Sequence, residues 1–221
     1  MVLVQVHMFM TFLNAAQLCL SRLIWHSYSV SMQVICDNDK RIIGYHIGYP
    51  GSCADSSVFK KMGIFHEPDS YFSPGEYLLA DSAFGVSRSC IPAYKAPAAN
   101  LSDNTDFNYC LSKSRVRVEH CIGILKSRWS SLREMRQQLR NKNEMSIFTS
   151  WVSACCILHN MLANLGDAWS DMYLNDEGRV SENPLHGRVP ADAVNFRETL
   201  KKVTIETNLA RGVLPICSYK A

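Results

Sequence analysis

The sequence predicts an α/β domain, and three observations carry that expectation. Two β-branched and aromatic runs, residues 28–36 and 41–49, flank Asp37-Asn38-Asp39-Lys40, a polar stretch suited to a hairpin turn. The short apolar run Tyr77-Leu78-Leu79-Ala80 stops at Asp81, the pattern of a buried strand. Two later stretches, about 109–131 and 144–165, either repeat apolar residues at helical spacing or are apolar almost throughout.

The elements follow in chain order. Residues 1–27 form an apolar segment with Arg22 as its only Lys, Arg, Asp or Glu, and the first acid of the chain is Asp37. Gln5, His7, Thr11, Asn14 and Gln17 interrupt it, and no Lys or Arg opens it, so it reads as a buried strand or helix rather than a signal peptide or membrane span. In the hairpin, Asp37 and Asp39 are turn residues, because Asp and Asn side chains bond their own backbone. Pro50-Gly51-Ser52 ends the second strand. A short helix over 56–63 is expected next, with Asp55 or Ser56 as its cap and Val58, Phe59 and Met62 at helical spacing. Pro68, Pro74 and Gly75 mark a loop before the strand at 77–80.

Residues 90–94 predict a further short strand, and Pro92 places it at an edge or a strand start. Residues 95–108 read as a polar loop. In the stretch 109–131, Val118, Cys121, Ile122, Leu125 and Trp129 mark one helix face, while Glu119 and Lys126, seven apart, share another. The stretch 144–165 is so apolar that it is expected to lie buried in the core, with Gly166 as its stop. From Asp167 the chain carries eight acids and seven Lys or Arg, with periodicity only around 191–206. The expected organisation is therefore an N-terminal segment at 1–27, a domain at 28–166, and a tail or loosely attached helix at 167–221.

With 221 residues, 47% of them hydrophobic and 19% charged, the chain is neither disordered nor collagen-like nor a coiled coil. Nine cysteines without a CxxC pair argue against a secreted disulfide scaffold and a zinc ribbon. Cys155 and Cys156 read as packing residues of a reduced intracellular protein. The net charge is +3, yet residues 113–142 hold nine Lys or Arg against two acids, a local +7 that leaves −4 elsewhere. Such a segment fits either a polyanion partner or a solvated helix face.

A carboxylate at a strand end, Asp81, and another on a later helix, Glu119, are the parts of a two-metal phosphoryl-transfer site, because hard divalent cations take oxygen ligands. His159 sits in the apolar helix, where a satisfied core histidine is the expectation.

Four stretches carry a resemblance. Gly-Tyr-Pro-Gly-Ser-Cys-Ala-Asp-Ser-Ser-Val-Phe (48–59), Tyr-Leu-Leu-Ala-Asp-Ser-Ala-Phe (77–84), Arg-Val-Arg-Val-Glu-His-Cys-Ile-Gly-Ile-Leu-Lys-Ser-Arg-Trp (115–129) and Cys-Ile-Leu-His-Asn-Met-Leu (156–162) resemble, in order, motifs of the PIF/Harbinger transposase family, the DDE superfamily endonucleases. The resemblance implies a ribonuclease-H-like mixed sheet flanked by helices. It also implies two Mg²⁺ or Mn²⁺ ions on an Asp-Asp-Glu triad that cuts and joins DNA, in a nuclear or other intracellular protein. The family's second Asp falls on Asp81 and its Glu on Glu119, both metal ligands. Asp55 matches a Gly-Ser-x-x-Asp position, where it either assists the site as a further ligand or caps its helix. Arg115, Arg117 and Lys126 are the expected contacts to the DNA backbone.

The sequence departs from the family at the first catalytic Asp, which belongs to an Asp-Gly-Thr motif upstream of the hairpin, since nothing before Asp37 is acidic. The expectation is that the first catalytic strand is missing or replaced, with Val2–Val6 or Met8–Leu13 as the substitute. Metal binding is then weakened and the nuclease degenerate. The alternative is a catalytically inactive module that binds DNA or a protein partner, including a partner that supplies DNA binding.

Overall fold

The computed structural model describes residues 3–4, 8–11, 29–73, 75–133, 139–165 and 191–214. Among these, six strands form two sheets. β2 (Met8–Thr11), β3 (Ser29–Cys36) and β4 (Ile42–Pro50) make an antiparallel sheet in that order. β1 (Leu3–Val4), β5 (Tyr77–Ala80) and β6 (Cys90–Pro92) make a parallel one with β5 in the middle. The N-terminal segment thus supplies a strand to each sheet: Leu3 pairs with Tyr77 and Val4 with Leu78, while Met8 to Thr11 pair with Met32 to Ser29.

The hairpin between β3 and β4 forms as its turn residues dictate. The Asp37 carboxylate accepts from the backbone N–H groups of Asp39 (2.8 Å) and Arg41 (2.9 Å), and Lys40 takes a left-handed φ of 63° to close the turn. Pro92 ends β6 at the sheet edge, where its missing N–H costs no ladder bond.

Five helices of the described residues surround the sheets. α1 (Asp55–Phe59) and α2 (Gly63–His66) lie between β4 and β5, α3 (Ser102–Arg128) and α4 (Lys142–Asn164) follow β6, and α5 (Ala191–Ala210) comes last. The strand alternation sorts the core. Val30, Met32, Val34 and Cys36 of β3 pack on Val118, Cys121 and Leu125 of α3 and on Phe148, Val152, Cys155 and Cys156 of α4. Ile35, Leu78 and Ala80 point the other way, toward Phe59, Met62 and Phe84. Tyr77, Leu79 and Ile91 join Phe107 and Leu111 of α3, with Phe196 and Leu200 of α5 against them. Helices therefore cover both faces, and α3 reaches across both sheets.

Several expectations change. The helix expected at 56–63 is two short ones, because Met62 is extended (φ −78°, ψ 143°) and breaks the run. Asp55 is not the cap of α1: Ala54 holds that position and Asp55 is the first helical residue. The polar loop expected over 95–108 is, from Ser102 on, the first two turns of α3, anchored by buried Phe107 and Leu111. Ser, Asp, Asn and Thr at 102–106 favour turns as readily as helix starts, and the burial of Phe107 decides between them.

α4 departs most. Asn141 starts it as N-cap, its Oδ1 accepting from the Glu144 N–H at 2.9 Å, while the Glu144 carboxylate accepts from the Arg140 N–H at 2.6 Å. The helix is not buried all round: Ile147, Trp151, Ile157, Leu158, Met161 and Leu165 face solvent. By length and composition α4 also satisfies the requirement for crossing a membrane. Its buried stripe packs on the sheet, and Asn160 holds the Ile42 backbone, so it serves the fold as a core helix. Gly166, and the stretch from Asp167 to Pro190, lie outside the described residues. Residues 191–210 are a docked helix: the Tyr94 hydroxyl donates to Glu198, and Arg197 stacks on the Tyr94 ring at 3.9 Å.

Candidate active site

The site is built at the end of β5. All four residues of the strand are buried, and neighbours on either side leave it no freedom to shift. Asp81 follows directly, half-buried, and its carbonyl accepts from the Phe84 N–H at 3.1 Å in a tight turn. Ala83 and Phe84 plug the core beneath it, Phe84 edge-on to Phe59 at 5.6 Å. The position of Asp81 is thus fixed by apolar burial on both sides of it.

Glu119 arrives from α3. Val118, Cys121 and Leu125 hold one face of that helix to the core and leave Glu119 exposed on another. Arg115 lies one turn earlier, at the i,i+4 spacing that brings side chains together. Burial pulls the Arg115 guanidinium below its ordinary value, and the charges of Asp81 and Glu119 both oppose that shift. Among the described residues the Arg115 Nε is buried without a hydrogen-bond partner. A Cβ placed at Gly123, one turn beyond Glu119, would meet nothing within 4 Å, so this flank of the site is open.

Of the residues predicted from sequence, Asp81 and Glu119 both act on Arg115 through their charge. Arg115, the expected DNA contact, is half-buried. Asp55 lies in the first turn of α1 with its residue surface 6% exposed, and its backbone carbonyl accepts from Gln33 Nε2 of β3. Arg117 is exposed, about two residues' rotation away from the Arg115–Glu119 face. Lys126 is half-buried, and its carbonyl accepts from Arg133 Nε at 3.1 Å. Among the described residues no group of three or more His, Cys, Asp or Glu side chains is placed to hold a metal ion. Divalent cations take about six oxygen ligands each, more than Asp81 and Glu119 supply by themselves.

His159 is a satisfied core histidine. Its Nε2 lies 2.9 Å from the Lys40 carbonyl and its Nδ1 3.4 Å from Arg128 Nη1, which makes the neutral tautomer with a proton on Nε2 the consistent assignment. Burial and the Arg128 charge lower its pKa, against the Lys40 bond that raises it. Cys155 and Cys156 are buried, the latter's thiol pushed up to about 12 chiefly by burial, so neither is a ready nucleophile.

The profile of a family described as DDE superfamily endonuclease matches residues 23–160, and the chain belongs to that family. Its similarity to the PIF/Harbinger transposase-derived nucleases extends to a curated relative, a "Protein ALP1-like" of Arabidopsis thaliana, 25% identical over 159 residues. That stretch is 66% of this chain and 38% of the relative, so the chain spans well under half of that protein's length. No solved structure matches the chain.

Proposed function

We propose that this chain is a transposase-derived nuclease module that binds DNA through its basic helical segment and cuts it poorly or not at all. The observation that carries the proposal is that Asp81 and Glu119 come with no third metal ligand: among the described residues no group of three or more His, Cys, Asp or Glu side chains is placed to hold an ion. The N-terminal strands support it. With the two sheets taken as one ribonuclease-H-like sheet in the order β4-β3-β2/β1-β5-β6, the strands Leu3–Val4 and Met8–Thr11 lie between the hairpin and the Asp81 strand. That is where the family's first catalytic Asp belongs, and no residue before Asp37 is acidic. Asp81 and Glu119 are then the remnants of the Asp-Asp-Glu triad, Arg117 and Lys126 the contacts to phosphate, and the nucleus the place of action.

The test pairs two assays on the purified chain. Nicking of supercoiled plasmid with Mg²⁺ or Mn²⁺ should stay at background while labelled duplex still binds, more weakly as salt rises. Nicking by the wild-type chain that disappears in Asp81→Asn would overturn the inactive reading and restore the enzyme. If Asp55→Asn abolished it too in a folded protein, Asp55 would be the third ligand.

A further inference from the structure

We infer that the exposed face of α4 is a self-association surface, on which a second copy of this chain packs its own α4 antiparallel about a two-fold axis. Ile147, Trp151, Ala154, Leu158, Met161 and Leu165 are all exposed and recur at steps of four, three, four, three and four residues. This is the 3.5-residue period of a helix seam whose knobs enter a facing helix. From Met145 to Asn164 the helix carries no Asp, Glu, Lys or Arg, so no like charges oppose the approach of a copy.

The spacing also selects the direction. About a two-fold axis crossing the helix at Cys156, Ile147 faces Leu165, Trp151 faces Met161 and Ala154 faces Leu158, each the other's partner on both sides. Trp151 then meets a pliable methionine, whose sulfur faces the indole, and Leu158 meets the small Ala154. In a parallel pair Trp151 would confront Trp151, and Ala154 would leave a gap against Ala154. Antiparallel helix dipoles add to the preference.

The area is sufficient. The large apolar side chains of this face, Ile157 included, are between 43% and 79% exposed. At on the order of 200 Å² per side chain they present about 700 Å² on one chain, above the usual largest apolar patch of a monomer, and about 1,400 Å² between two, within the range of stable interfaces.

Sedimentation and light scattering of the full chain decide the matter. At about 50 μM the expected species has twice the mass of the 24.9 kDa chain. Leu158→Glu should weaken dimerisation at least 100-fold with unchanged circular dichroism, whereas Val203→Glu, an exposed apolar position on α5, should leave the dimer intact. Ala154→Leu alone should weaken it about 10-fold, and the exchange Ala154→Leu with Leu158→Ala should recover it, because those two positions face each other. A wild-type monomer at 100 μM overturns the proposal, including one whose α4 face is covered by its own residues 166–190. So does a dimer that Leu158→Glu leaves untouched. Should Leu158→Glu fail to fold, the exchange series at Ala154 and Leu158 still discriminates: recovery by the double exchange supports the antiparallel pairing, and its absence overturns it.

Discussion

Asn160→Ala removes both halves of a two-point clamp on the start of β4. The Asn160 Oδ1 accepts from the Ile42 N–H at 2.8 Å, and its Nδ2 donates to the Ile42 carbonyl at 2.7 Å. A hydrogen bond contributes about 1 kcal/mol net, and a polar group stranded away from water costs about 1–3 kcal/mol more. Ile42 is 6% exposed, so water reaches its freed amide groups poorly and the expected loss is about 2–4 kcal/mol. For a chain of this size that corresponds to a fall of about 4–16 °C in Tm. Urea unfolding followed by circular dichroism measures it, with the m-value unchanged if the native fold persists. Asn164→Ala, on an exposed position of the same helix, should stay within about 0.5 kcal/mol. Asn160→Asp should be damaging at pH 7, where a carboxylate faces the Ile42 carbonyl, and should recover part of the loss on acidification as it regains a proton to donate. A loss below about 0.5 kcal/mol in Asn160→Ala would refute the clamp.

Two further outcomes are expected. His159 has its folded pKa below the ordinary 6.5, so below that pH the unfolded chain binds a proton that the folded chain refuses. Stability is therefore fully present above about pH 6.5 and declines as the pH falls below it; in His159→Gln the slope of unfolding free energy between about pH 6.5 and 5 should shrink, and an unchanged slope would remove His159 as its source. For DNA, Arg117→Gln should lower the slope of log K against log salt by about 0.9, whereas Arg115→Gln should lower it less, since its half-buried guanidinium reaches a phosphate less freely. Equal effects from both would return Arg115 to the DNA surface.

The hairpin, the Asp81 strand and the buried face of the long helices were legible because each has a strong local signal. The Asp37 turn is bonded within itself, and Tyr77–Ala80 is apolar on both faces because the strand is covered on both. The start of α3 was not legible, since Ser102, Asp103, Asn104 and Asp106 favour loops and only the distant packing of Phe107 against Tyr94 makes them helical. The exposure of α4 was hidden by the opposite excess: when nearly every position is apolar, the pattern no longer says which face is inside. At the site, Asp81 and Glu119 carried recognisable motifs. Arg115 is one basic residue among nine in its stretch, and its partial burial follows from how α3 packs rather than from any local signal.

The pairing of Leu3 and Val4 with Tyr77 and Leu78 has a consequence for how the protein is made. The first described strand leaves the ribosome without the neighbour that completes its ladder, and at about 5–20 residues per second that neighbour is synthesised roughly 4–15 s later. During that interval an apolar segment with no acidic residue waits in solution beside other nascent chains. Closing so distant a contact is slow, and an unpaired apolar strand is a template for the wrong partner. A long wait between partner strands is thus built into the connectivity of this fold, and shortening it by circular permutation should raise the yield of folded protein.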